Sequence, residues 1–370
     1  MSRFLLQMLV DKDKLFAPGQ KIELYNLSSN IAVSYPKNMS VFKTDTMLQT
    51  LRNKYESWRH RDDNKGFFSP TAINTYLECK MKFFFKYVAG INPKDEVTED
   101  VDNAAFGSIF HKCMETIYAP CLDRGDIKSD VLESIAEDKN KIMHYVDEAF
   151  KEVFFKGMDV RYNGEQLLNR EVICTYVANQ LRHDKDLCPI RILGVEKKCR
   201  TELEIAVKGE QPVKLFVGGI IDRFDEVTIE GQRYTRIVDY KTSSYLCKYT
   251  GLEALFTPGE DKNNAHHIRQ AFYYADVMME EHEDLKSLYP TLMYVKLSNQ
   301  CPPTIETDIK NQPMTRVEFS AIRDEYHKFL IKTLEEVFNK EVPFTQCEES
   351  PTCDYCDFKE LCNREKEKKD

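Results

Sequence analysis

The 370-residue sequence has no stretch near the roughly 18 consecutive apolar residues of a membrane-spanning helix. Its amino-terminal apolar run, within FLLQMLV, is about six residues, short of the roughly 7–15 of a secretory core. Positive charge is not in excess: 52 Lys and Arg stand against 61 Asp and Glu, for a formal net charge of −9. That excludes a wholly basic coat for a polyanion, although one groove lined with basic side chains is still compatible with it. Internal repeats, low-complexity segments and the phosphate-cradling G-x-x-x-x-G-K-[ST] loop are all absent, so no ATPase is expected in this chain. Cysteine, by contrast, is plentiful at twelve. Without an export signal these are expected as thiols, metal ligands or redox groups in a reducing cytoplasm, not as a disulfide framework.

The chain is long enough for two domains or one decorated domain. Residues 1–65 read as an appendage, with strand-like pieces within 22–42 and one amphipathic helix running out of TMLQTLRNKYESWRHRDDNKG into a charged linker. From residue 66 the texture changes. Ser69 is a plausible N-cap with Pro70 at the first helical position. An apolar helical face then continues through Ile73, Tyr76, Leu77, Met81, Phe84, Phe85 and Val88. A second helix is expected over NAAFGSIFHKCMETIY, and residues 128–185 read as a helical insertion. Three β-branched segments follow, with Glu230-Gly231 as a turn, then a helix from His266, a strand over TLMYVKL and a last long helix. The expected class is α/β, a mixed central sheet flanked by helices.

The chemistry-bearing segment is Ile237-Val238-Asp239-Tyr240-Lys241-Thr242. On a strand, Asp239 and Lys241 share a face while the Tyr240 ring points away, leaving the Tyr240 carbonyl as a neutral oxygen donor. The preceding strand carries Asp222 in an apolar stretch after Gly218-Gly219, and a hairpin would bring it beside Asp239. Two carboxylates at close range are costly unless a cation holds them together. Carboxylates, a carbonyl and a lysine suit phosphodiester hydrolysis with Mg²⁺. The bland reading is a solvated strand edge with ordinary ion pairs. His111, with Glu115 one turn on, reads alone as a core histidine, and Gln270 with Tyr274 as a polar helix stripe.

Together, in order, G-S-I-F-H (107–111), G-x-I-D-R-x-D (219–225), V-D-Y-K-T (238–242) and Q-x-x-x-Y (270–274) resemble the RecB-like branch of the PD-(D/E)XK nuclease superfamily. The resemblance implies a restriction-endonuclease-like core over about residues 66–370. It also implies metal ligation by His111, Asp222, Asp239 and the Tyr240 carbonyl, with Mg²⁺ or Mn²⁺ as the ion. Lys241 would assist hydrolysis, and Gln270 and Tyr274 would brace the site and contact DNA.

The carboxyl terminus reads C-x2-C-x5-C at Cys353, Cys356 and Cys362. Three clustered thiolates need a fourth, and Cys79 is the outstanding candidate, with Cys347, a near neighbour of the motif, as a substitute ligand. On spacing, zinc and an iron–sulfur cluster serve equally well. Iron–sulfur members of the same nuclease branch, AddB-type subunits of helicase–nucleases among them, carry one cysteine before the nuclease motifs and three after. By that resemblance Cys79, Cys353, Cys356 and Cys362 hold a 4Fe–4S cluster, although Lys80 stands where relatives commonly have proline. Cysteines 113, 121, 174, 188, 199, 247 and 301 are expected as buried thiols. The function implied is a DNA exonuclease in recombinational double-strand-break repair, with DNA and an AddA-type helicase–nuclease as partners and no membrane. The rivals are a CRISPR-associated RecB-like exonuclease and a non-catalytic DNA-end-binding module.

Overall fold

A computed structural model describes residues 39–364 except 61–65, 93–99, 159, 210, 258–264, 310 and 349–350, together with Gln7, Val10 and Asp11. The chain divides into two units, Met1–Lys37 and Asn38–Asp370. In the first, Gln7 and Val10 are helical and the Asp11 amide donates to the Gln7 carbonyl (2.9 Å). The strand-like pieces expected over 22–38 and the linker at 61–65 lie outside the described residues. Among those described, no helix is long and apolar enough to cross a membrane.

In the second unit the order is β1 (Ser40–Val41), α1 (Asp45–Tyr55), α2 (Pro70–Glu78), α3 (Asn103–Tyr118), β2 (Asp126–Ile127), α4 (Ser129–Glu137), α5 (Lys139–Val153) and α6 (Gly164–Lys185). Then come β3 (Ile190–Ile205), β4 (Val213–Ile229), β5 (Gln232–Lys241), α7 (Ala265–Glu281), β6 (Tyr289–Tyr294), α8 (Arg323–Phe338) and β7 (Phe344–Thr345). Strands β2-β3-β4-β5-β6 form one sheet in that order, antiparallel except for the parallel β5–β6 pair. β1 and β7 pair separately. This is the mixed α/β architecture expected.

Local chemistry explains most boundaries. Ser69 caps α2, its side chain accepting from the Ala72 amide at 3.2 Å, with Pro70 in the first turn. Glu230 and Gly231 join β4 to β5 with φ of 53° and 80°, a left-handed pair suited to a two-residue hairpin. Two expectations need correction. The helix expected over residues 46–66 ends at Tyr55, because Glu56 turns extended and bridges to Leu215 of β4. There its carboxylate gathers Arg52, Trp58 and Arg59. The apolar face running through residue 88 is likewise not one helix. Cys79 breaks it at φ −159° and ψ 112°, and a short α-turn and a π-turn (Phe84–Val88) carry the face onward.

Helix α7 covers the sheet face that carries Asp239 and Lys241, burying Ile268, Phe272, Tyr273, Val277 and Met278. Helices α3 and α6 cover the reverse face, where the Tyr240 ring packs edge-on to Phe110 with centroids 5.5 Å apart. That side also holds a wholly buried charge chain. Arg223 donates to both Asp184 oxygens (2.7 and 3.0 Å) and pairs with Asp225 (2.9 Å), to which Arg236 also donates twice (3.0 and 2.9 Å). Tyr118 completes it with a hydroxyl bond to Asp184 (2.7 Å). Burial pushes the Asp184 carboxyl up, but Arg223 beside it outweighs this and holds it well below the usual carboxylate range. Removing Arg223 strands the buried Asp184 anion and leaves Asp225 with Arg236 alone. Arg223→Met is therefore expected to cost roughly 3–5 kcal/mol in urea unfolding. A loss under about 1 kcal/mol would show that the chain is no keystone of the fold.

Candidate active site and cysteine pocket

Strand register builds the site. The pairs Val195↔Arg223 and Lys197↔Ile221 put Glu196 across from Asp222 on β4. The pair Arg223↔Val238 makes Asp222 and Asp239 next in line between β4 and β5. Three carboxylates thus fall in one row across three strands. The two glycines before Asp222 leave room for neighbours: a Cβ on Gly219 would lie 2.6 Å from the Tyr274 ring, and one on Gly218 would lie 2.4 Å from the Cys199 carbonyl.

His111, on α3, comes to the row from the side. Its Nδ1 is 3.4 Å from Asp222 Oδ1 and its Nε2 is 3.2 Å from the Tyr240 carbonyl, the oxygen expected at this edge. Asp222 Oδ2 accepts from the Tyr240 amide at 2.7 Å, which locks the carboxylate to the end of β5. Among the described residues, His111, Glu196 and Asp222 are the group whose donor atoms all lie within 4.8 Å of one another. Glu196 had not been anticipated, and it takes the place in this closest trio expected for Asp239. Asp239 turns to the other side, where it ion-pairs with Lys241. Gln270 sits between them and Tyr274: its Oε1 accepts from Lys241 Nζ (3.1 Å), and its Nε2 faces Asp239 Oδ1 (3.2 Å) and the Tyr274 hydroxyl (3.2 Å). Asp239 Oδ2 is buried with the Lys241 ion pair but without a well-directed hydrogen bond.

The electrostatics are those of an anionic cleft. Burial and the neighbouring Asp222 push the Glu196 carboxyl up to about 7, against the pull of His111. Burial, with Asp222 adding to it, pushes Asp239 up to about 6 despite Lys241. Burial lowers His111, but the carboxylates of Asp222, Asp239 and Glu196 outweigh it and hold the imidazolium up to about 9. Oxygen donors with one imidazole, one buried oxygen lacking a well-directed hydrogen bond and mutual carboxylate repulsion fit a hard divalent cation.

The cysteines expected to meet do line one pocket. Cys79, Cys353, Cys356 and Cys362 are joined there by Cys347 and Arg364. The break after α2 carries Cys79 there, and Met81, Phe85 and Phe358 form an apolar wall beside it. Among the described residues no three of the sulfurs lie within 4.8 Å of one another. Four thiolates on one tetrahedral zinc, with Zn–S about 2.3 Å, would stand about 3.8 Å apart. Of the remaining cysteines, 113, 199 and 301 are buried as expected, whereas 121, 174, 188 and 247 are only partly so.

The sequence model of the PD-(D/E)XK nuclease superfamily matches residues 67–363, and the chain belongs to that superfamily of divalent-metal nucleases. Among individual proteins, it is similar to the B subunit of the ATP-dependent helicase/deoxyribonuclease of Carboxydothermus hydrogenoformans, 26% identical over 182 residues. The protein of the same name from Clostridium perfringens strain SM101 is 24% identical over 217 residues. These matches cover 48% and 54% of this chain but only 16% and 17% of the relatives, so the chain spans a small part of their length.

Protons and a cation compete for the carboxylate row. Mn²⁺ binding, followed by calorimetry, is expected to tighten from pH 6 to pH 9 and to release protons, as Asp239 (about 6), Glu196 (about 7) and His111 (about 9) give theirs up. Affinity independent of pH over that range would remove these groups from the cation site.

Proposed function

We propose that this protein is a Mg²⁺- or Mn²⁺-dependent deoxyribonuclease that hydrolyses phosphodiester bonds at DNA ends. The observation that carries this is the row of Glu196, Asp222 and Asp239 with His111 at one end and Lys241 held on Asp239. His111, Glu196, Asp222, Asp239 and the Tyr240 carbonyl are the proposed cation ligands. A bound cation supplies Lewis acidity toward the phosphate and lowers the pKa of a water nucleophile. Lys241 holds its ammonium beside Asp239, where negative charge on the phosphate oxygens grows in the transition state. Gln270 fixes that ammonium through its Oε1, and Tyr274 fixes Gln270, so both act as positioning residues for Lys241 and Asp239.

In this reading residues 66–370 form the nuclease domain, residues 128–185 an insertion in it and residues 1–65 an appendage. Cys79, Cys353, Cys356 and Cys362 hold a 4Fe–4S cluster that closes the domain. Their position around one pocket, with Cys79 brought to the carboxyl-terminal C-x2-C-x5-C hook, supports this reading. The names of the similar proteins, helicase/deoxyribonuclease subunits, support DNA as substrate and a further helicase–nuclease subunit as partner. The same reading takes that partner as AddA-type and places the protein in the cytoplasm, in recombinational break repair.

End-labelled and covalently closed DNA with Mg²⁺ or Mn²⁺ test the activity. Asp239→Ala and Lys241→Ala are each expected to lower cleavage by at least roughly 10²–10³-fold while leaving the circular dichroism spectrum unchanged. Wild-type rates in either variant would sink the assignment, and cutting of closed circles would overturn the end-dependent mode. Protein purified without oxygen is expected to hold about four irons per chain. Stoichiometric zinc with no iron would replace the cluster by a single-ion site.

A further inference from the structure

The cysteine pocket holds one thiol more than a four-iron cluster takes. Cys347 lies outside the C-x2-C-x5-C motif, yet it lines the same pocket. Its sulfur is 3.8 Å from that of Cys353 and is hydrogen-bonded to Cys79. The side chain of the preceding Gln346 anchors this position: its Oε1 accepts from the Met39 amide (2.9 Å) and its Nε2 donates to the Cys362 carbonyl (3.0 Å). Arg364 spans the Cys347–Cys353 pair, with Nη1 at 2.8 Å from Cys353 Sγ and 3.7 Å from Cys347 Sγ, while Nη2 donates to the Cys347 carbonyl (2.5 Å).

A cubane cluster takes one thiolate on each of four irons. Cys347 is in contact with both Cys353 and Cys79, too close to either to serve a separate iron of one cluster, so it competes with one of them for its iron. The guanidinium it shares with Cys353 selects that one. We propose that Cys347 is an alternative cluster ligand that exchanges with Cys353 at a single iron, an inference that rests on the cluster reading above. The step balances without redox chemistry: the iron–sulfur bond to Cys353 breaks, the bond to Cys347 forms, and the Cys347 proton passes to the departing thiolate. Arg364 donates to whichever of the two sulfurs carries the negative charge. Cys347 touches Cys79 as well, but it is with Cys353 that it shares the guanidinium, and that shared cation lets the charge move between them. The corner held by Cys347 and Cys353 is therefore the one at which the cluster tolerates loss of a ligand.

Iron content and the electron paramagnetic resonance spectrum of the reduced, anaerobically purified full chain test this. Cys353→Ala is expected to keep its iron and show a shifted spectrum, and Cys347→Ala to keep both the iron and the wild-type spectrum. The double variant is expected to fall to the low iron content of Cys356→Ala. Iron in the wild type but none in Cys353→Ala would overturn the exchange alone. So would a double variant indistinguishable from Cys353→Ala, since solvent would then be filling the corner. A wild type without iron would overturn the cluster reading and this inference together.

Discussion

Three carboxylates in register across β3, β4 and β5 repel one another, and much of the surrounding construction answers that repulsion. His111 meets Asp222 from one side, and Lys241 meets Asp239 from the other. The Tyr240 amide ties Asp222 down, and Gln270 links the lysine to its carboxylate and to Tyr274. Each contact offsets part of the repulsion, yet Glu196 and Asp239 stay above their ordinary range. The remaining deficit is what a cation would satisfy, so the folding strain of the row and the affinity of the site have the same origin.

The reverse of the sheet is built to hold that row still. Arg223, next in sequence to Asp222, points the opposite way into the chain of Asp184, Asp225 and Arg236. Asp184 belongs to α6 and Tyr118 to α3, so the last helix within residues 128–185 and the helix that precedes them are both anchored to the strand that carries the central carboxylate. His111 lies on that same α3, which sets the imidazole by the same anchor. Buried charges seldom add stability over an apolar core, but they penalise every alternative register, and register is what this site requires.

Much of this was legible in the sequence where local rules apply. Alternation along Asp239-Tyr240-Lys241 separated the working face from the Tyr240 ring, and Ser69-Pro70 and Glu230-Gly231 marked a helix start and a hairpin. Cys79 was less tractable. Apolar spacing continues through it, so periodicity reads one helix where the backbone breaks and turns the thiol toward the carboxyl-terminal hook. Glu196 escaped because it belongs to no local pattern. Its signal lay in pairing: Glu196 and Asp222 are equidistant from Gly209, the left-handed turn glycine between β3 and β4. Counting outward from that turn would have found it.

Glu196 also sits at φ 46°, a left-handed conformation inside a strand that a side chain resists and glycine accepts. Such a position costs a residue other than glycine roughly 1–3 kcal/mol. Selection for heat tolerance alone would therefore move position 196 toward glycine, and selection for the proposed chemistry would hold it as an acid. The two pressures part company at this one codon. A library of this protein screened only for survival of heating would be expected to collect its inactive members there.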